Sequence, residues 1–130
     1  MNTGVEEAKA LVEDLKARVS DVTNVEIVVC PPFISLTTVR DVIEGSNIAL
    51  GAQNVCWEKS GAFTGEVSVP MLKSAGCTYV IIGHSERRAY FHETDETVNK
   101  RIFAALEERL KPIVCVGETL EEREKNETFD

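Results

Sequence analysis

The sequence predicts an α/β protein in which short parallel strands alternate with helices, amounting to about half of an eight-stranded β/α barrel. Three observations carry this expectation. Apolar, strand-like runs recur at 25–30, 48–51, 78–82 and 112–116, with helical periodicity before and between them. The runs are almost wholly apolar rather than alternating, as expected of parallel strands covered on both faces. Four strands in about 100 residues is the repeat rate of a barrel of about 250 residues. A small doubly wound sheet of four or five strands fits the same pattern. No G-x-G-x-x-G loop follows the first run, so its dinucleotide-binding version is weak.

The elements follow in order. Thr3 and Glu6 match a capping box. Val5, Ala8, Leu11, Val12, Leu15 and Val19 then recur at helical spacing, which predicts a helix over 4–19. The run at 25–30 is a strand stopped by Pro31 and Pro32. Ser35 is placed to cap a second helix, with Leu36, Val39, Val42 and Ile43 inward and Gly45 as its stop. A second strand spans 48–51. The stretch 52–68 is long, polar and Gly-rich, yet it carries Val55, Trp57 and Phe63. Loops of this length in compact domains usually serve function or an interface. These apolar side chains need cover, from the chain's own core or from another subunit.

A short helix over 69–75 follows, with Pro70 in its first turn and Gly76 past its end. The third strand is 78–82. Thr94 then caps a helix with Asp95 and Glu96 in its first turn, where negative charge suits the dipole. Val98, Ile102, Leu106 and Leu110 are its expected buried face. The fourth strand is 112–116. Thr119 and Glu122 form a further capping box at the head of an acidic stretch.

Composition narrows the functional classes. The net charge of the 130 residues is −8, and no basic stripe exists to neutralise a phosphate backbone, so nucleic-acid binding is disfavoured. A local pocket for a small anion remains compatible with that charge. The cysteines at 30, 56, 77 and 115 have no C-x-x-C spacing. They read as small buried hydrophobes in a reducing compartment rather than zinc or redox ligands. No apolar run approaches the ~20 residues of a membrane span, and no signal peptide is visible. A cytoplasmic location is expected.

The chemistry is expected where the third strand ends. Gly83 breaks the apolar run, and His84, Ser85, Glu86, Arg87 and Arg88 follow. In α/β proteins ligands gather at the carboxyl ends of parallel strands. A histidine at the start of a short helix meets loose N–H groups that disfavour a positive charge. A neutral imidazole there can donate its N–H to a substrate carbonyl and stabilise the developing oxyanion. His84 can equally be a capping residue. Ser85 can hold a catalytic partner or cap the turn. Glu86 can do acid–base or orienting work, or pair with a neighbouring cation. Arg87 and Arg88 can grip a phosphate or, as favoured here, bridge to carboxylates such as Glu66 or Glu93. His92 lies in a charged loop and reads as solvated.

Five segments, in order and at family spacing, resemble triosephosphate isomerase of the bacterial or eukaryotic type. They are Cys30-Pro31-Pro32, Gly51-Ala52-Gln53-Asn54, Gly61-Ala62-Phe63-Thr64-Gly65-Glu66, Gly83-His84-Ser85-Glu86-Arg87-Arg88 and Cys115-Val116-Gly117-Glu118. The resemblance covers essentially the whole chain. It implies an incomplete (β/α)8 TIM barrel and an aldose–ketose isomerase, an intramolecular oxidoreductase. That enzyme interconverts dihydroxyacetone phosphate and D-glyceraldehyde 3-phosphate through an enediolate, in glycolysis and gluconeogenesis. No metal or organic cofactor is implied. His84 matches the family's electrophilic histidine, a neutral residue established for that enzyme rather than deduced from this chain. Ser85 and Glu86 match supporting residues beside it. The resemblance also implies a homodimer through the 53–68 loop, with Gln53, Asn54, Phe63, Thr64, Gly65, Glu66 and Arg87 at the interface and Arg87 facing the neighbour's counterpart of Glu66. Cys115 resembles a buried cysteine that supports folding.

Departures from the family pattern set expectations for this chain alone. Residues 1–130 are expected to be a partial barrel domain, with the first strand and strands six to eight outside it. Met1-Asn2 matches only the end of the family's Asn-Trp-Lys-Met-Asn motif. The phosphate-facing Lys, the catalytic Glu and the lid are then absent from these residues. The 130-residue chain alone is therefore expected to be inactive. Two readings of other classes remain: a non-catalytic remnant that only folds or associates, and an unrelated α/β binding module.

Overall fold

A computed structural model describes residues 1–128. The elements are α1 (Val5–Arg18), β1 (Ile27–Val29), a 3-10 turn (Phe33–Ser35), α2 (Leu36–Ile43), β2 (Ile48–Ala52), α3 (Val69–Ser74), β3 (Tyr79–Ile82), α4 (Ser85–Tyr90), α5 (Asp95–Glu107), β4 (Lys111–Val114) and α6 (Leu120–Glu124). The strands form one sheet in the order β1-β2-β3-β4, and every pair is parallel. Ile27 pairs with Ile48, Gly51 with Tyr79, and Tyr79 with Lys111.

That order separates the two architectures the sequence left open. A doubly wound sheet reverses its strand order at a switch point. Here each strand adds beside its predecessor, always in the same direction. Right-handed crossovers then put every connecting helix on one face, and the sheet is an arc of a barrel. The buried cluster lies between that face and the helices. Ile48, Leu50, Ala52, Val80 and Ile82 from the strands meet Val39, Leu72, Val98, Ala105 and Leu110.

The opposite face is packed tightly around Gly51. A Cβ there would sit 2.7 Å from Cys30 Sγ and 3.2 Å from Tyr79 Cβ. The absent side chain lets three strands close up. At the N-terminal edge of the sheet Tyr79 donates to Glu26, and Lys111 Nζ donates to both, at 3.1 Å to Glu26 and 3.2 Å to Tyr79. The Tyr79 hydrogen bond, helped by Lys111, holds the Glu26 carboxyl below its ordinary range. One polar cluster thus ties the starts of β1, β3 and β4.

Several local expectations shift. The first cap lies one residue later than Thr3 and Glu6: Glu7 Oε2 accepts the Gly4 N–H at 3.1 Å, and Thr3 is left in a left-handed turn at φ 66°. Ser35 precedes α2 but does not cap it, because the 3-10 turn turns its hydroxyl into the core, fully buried and without a partner. Leu106 is not on the buried face of α5. That face is Val98, Arg101 and Ala105, while Phe103 and Leu106 point outward. Leu11 of α1 is likewise exposed. The caps at Thr94 and Thr119 form as expected, and Ser68 caps α3 in the same way, each side chain accepting a backbone N–H of its helix. All four cysteines are free; Cys56 and Cys77 are buried and Cys30 and Cys115 half-buried. Burial, helped by Cys30, pushes the Cys77 thiol up to about 11, so it stays protonated at neutral pH. No helix of the described residues is long and apolar enough to cross a membrane.

Candidate active site

The site is built by the end of β3. The chain leaves Ile82, turns at Gly83 and starts α4 at Ser85. Gly83 has φ +74°, in the left-handed region that costs other residues about 1–2 kcal/mol. A Cβ there would also press within 3.1 Å of Val98 Cγ2. Glycine is required twice over, by conformation and by its contact with α5.

His84 is the N-cap of α4. Its Nδ1 accepts the Glu86 backbone N–H at 3.2 Å. The Nδ1 lone pair is therefore engaged, and the proton of the neutral ring sits on Nε2. A proton on Nδ1 would face that N–H head-on. The His84 side chain is 44 % exposed, so Nε2–H can be offered to a ligand at the strand end. Glu86 Oε2 lies 3.7 Å from Nδ1, too far for a hydrogen bond, and its side chain points into solvent. Ser85 opens α4 beside them.

The two arginines bridge to carboxylates, one of them to a partner the sequence suggested. Arg87 Nε donates to Glu93 Oε1 at 2.7 Å. Arg88 Nε donates to the Gly83 carbonyl at 3.1 Å, and its Nη1 reaches Asp95 at 2.7 Å. Arg88 therefore braces the very turn that presents His84. Among the described residues Glu66 has no ion-pair partner within the chain.

Arg101 escaped the sequence reading, and Glu93 was foreseen only as a partner for the arginines. Glu93 is a buried carboxylate, and Arg101 reaches the same Oε1 from α5 at 3.4 Å. Arg101 Nε also donates to the Val55 carbonyl at 2.9 Å. A continuous polar path runs from the His84 helix through Glu93 and Arg101 to the root of the 53–68 loop. The signal for it was present: an arginine three residues after Val98 falls on an apolar helix face. Glu93 Oε2 and Arg101 Nη1 have no protein partner.

The remaining candidates divide in two. Gln53 sits at the strand ends, its Nε2 donating to the Cys30 carbonyl at 2.9 Å. Asn54 is buried with its Oδ1 unpartnered. Phe63, Thr64, Gly65 and Glu66 form the exposed tip of the loop, joined to the corner by no hydrogen bond or ion pair among the described residues. Two surface clefts, beside Arg40 and Gly76 and beside Trp57 and Phe103, do not include His84. No three His, Cys, Asp or Glu side chains converge as metal ligands among the described residues. The corner is an open wall that can donate one hydrogen bond and hold its donor rigid.

The model of the triosephosphate isomerase family matches residues 1–130. The chain belongs to the triosephosphate isomerase family. It is 58% identical to the triosephosphate isomerase of Alkaliphilus oremlandii over 130 residues, all of this chain and 52% of that protein. It is 60% identical to that of Endomicrobium trichonymphae over 129 residues, 99% of this chain and 52% of the relative. The crystal structure of triosephosphate isomerase from Bartonella henselae superposes with a TM-score of 0.90 at 39% identity, covering 98% of this chain and 53% of that one. The chain spans about half the length of the curated relatives it matches. Its four-strand arc is that portion of a triosephosphate isomerase TIM barrel, in agreement with the sequential strand order.

Proposed function

We propose that the protein, at the full length of its relatives, interconverts dihydroxyacetone phosphate and D-glyceraldehyde 3-phosphate in the cytoplasm, as a homodimer associating through the 53–68 loop. The observation that carries this reading is His84 at the end of β3, with Nδ1 tied to the Glu86 N–H. The reaction moves a proton between C1 and C2 of the triose. A base removes the C1 proton and the C2 carbonyl becomes an enediolate oxygen; the O1 hydroxyl proton then passes to O2, and a proton returns to C2 as C1 becomes the aldehyde. Charge develops on oxygen, where a fixed N–H donor lowers the barrier most. His84 Nε2–H is that donor, an electrophile rather than the base. Ser85 and Glu86 support it, Glu86 through its backbone N–H. Arg87 faces Glu66 of the neighbouring subunit while Glu93 holds its other side.

The catalytic base, the phosphate-facing Lys and the lid belong to parts of the family pattern outside these 130 residues, taken here as a partial barrel domain. Loss of a general base alone costs about 10²–10⁴-fold in rate. The 130-residue chain by itself is expected to show no turnover in a coupled isomerase assay, whereas the full-length protein does. Turnover by the isolated chain that disappears in His84→Ala would show that the missing half is dispensable. An inactive full-length protein would leave only the reading of a non-catalytic association module.

A further inference from the structure

The 53–68 loop does not hang free in the single chain. Its base is closed by the Cys56 N–H donating to the Val67 carbonyl at 2.8 Å, with a parallel bridge between Cys56 and Ser68. Its outgoing arm lies on α5. The Trp57 ring is covered by the Arg101 guanidinium at 4.9 Å and the Lys100 ammonium at 5.4 Å. Two residues on, Lys59 Nζ sits 2.8 Å from Glu108 Oε1 and 3.2 Å from Glu107 Oε2. Arg101 pins the root below them through the Val55 carbonyl. The tip is shaped locally: Gly61 and Gly65 have positive φ, and the Phe63 N–H reaches the Gly61 carbonyl at 3.0 Å. Phe63 remains 46% exposed.

We infer that Trp57 and Lys59 strap the arm of this loop to α5 and so preset the position from which Phe63 meets a second copy of this chain. The inference rests on the homodimer reading above. Each contact is weak alone, because exposed ion pairs and cation–π pairs are screened by water. They act on the same short arm, however. A loop ordered before docking does not lose its conformational freedom at the moment of association. Neither Trp57 nor Lys59 needs to touch the partner to do this. They are positioning residues, and their loss is expected in the dimer equilibrium rather than in the core.

The test uses the full-length protein and the variants Trp57→Ala, Trp57→Phe, Lys59→Met and the double change Glu107→Gln with Glu108→Gln. Dimer dissociation is measured by sedimentation on dilution, and amide exchange is followed across 58–66 and across β3. Trp57→Ala is expected to weaken the dimer about tenfold, the size of effect that ordering one or two side chains on binding gives. Exchange at 58–66 quickens while β3 is unchanged. Trp57→Phe restores most of the affinity, since a ring remains for the cations to cover. High salt is expected to quicken exchange at 58–66 in the parent but not in Lys59→Met, because only the parent has an ion pair to screen. Variants that dimerise like the parent, or a parent loop that exchanges as fast as theirs, overturn the strap. A parent protein that stays monomeric at every concentration overturns the homodimer reading beneath it, and is told apart by slow parental exchange at 58–66 that the variants lose.

Discussion

Replacing His84 by Gln in the full-length protein lowers kcat by about 10²–10³-fold, the effect of removing one preorganised donor from a developing oxyanion. The expectation follows from where the residue is held. Gly83 turns the chain at φ +74°, Arg88 grips the Gly83 carbonyl, and the Glu86 N–H fixes the ring through Nδ1. The glutamine amide can donate a hydrogen bond, but no longer from a ring fixed through Nδ1. Because the donor matters most when charge develops, the loss falls mainly on kcat and little on KM. Steady-state kinetics of the purified variant check this. A variant with unchanged kcat and a raised KM would make His84 a binding residue only.

The second large effect is on stability. Glu93→Ala costs about 3–5 kcal/mol, the range for breaking a buried ion pair by removing one partner. The Glu93 side chain is 2% exposed and receives both Arg87 and Arg101. Its removal leaves Arg101 buried with no carboxylate, only the Val55 carbonyl and the Trp57 ring. Arg101→Leu is milder, about 1–3 kcal/mol, because Glu93 keeps Arg87 at 2.7 Å and the main loss is an unsatisfied Val55 carbonyl. Urea denaturation of the two full-length variants side by side checks the order. Equal losses would mean that Arg87 alone does not keep Glu93 satisfied once Arg101 is gone. Both substitutions also disturb the path from the His84 helix to the loop root, so reduced dimerisation is expected with the loss of stability.

The architecture was legible because burial on both faces forces a strand to be apolar throughout. Such runs at 48–51 and 78–82 fit central parallel strands, while the strand order that makes them an arc of a barrel came from the pairing. The capping residues Thr94 and Thr119 were legible because a short polar side chain before a helical pattern is well placed to accept a loose N–H. Thr3 and Ser35 were misread because that use depends on backbone geometry that sequence alone does not carry. One sits in a left-handed turn, and the other is drawn into the core by a 3-10 turn. Leu106 was misplaced because α5 gives its inward position to Arg101, and an apolar period says nothing about a buried charge.

The candidate site was legible in part. His84 stood out from its place after a strand and a glycine. The partners that hold the corner come from residues distant in sequence or in loops. Glu93 and Arg101 meet because α5 folds back across the end of β3; an arginine on an apolar helix face hints at a buried partner without saying which. Arg88 acts on the carbonyl of Gly83, a backbone contact with no sequence signature. The loop tip at 63–66 was recognised through resemblance, while the arm that positions it, Trp57 and Lys59, became visible only against α5.

The most direct test of the account is the protonation of His84 in the full-length protein, read by 15N NMR at neutral pH. The account predicts an unprotonated Nδ1 that accepts a hydrogen bond and a protonated Nε2, with the same tautomer kept when a substrate analogue binds. A proton on Nδ1, or on both nitrogens, would contradict the assignment of His84 as a neutral electrophile.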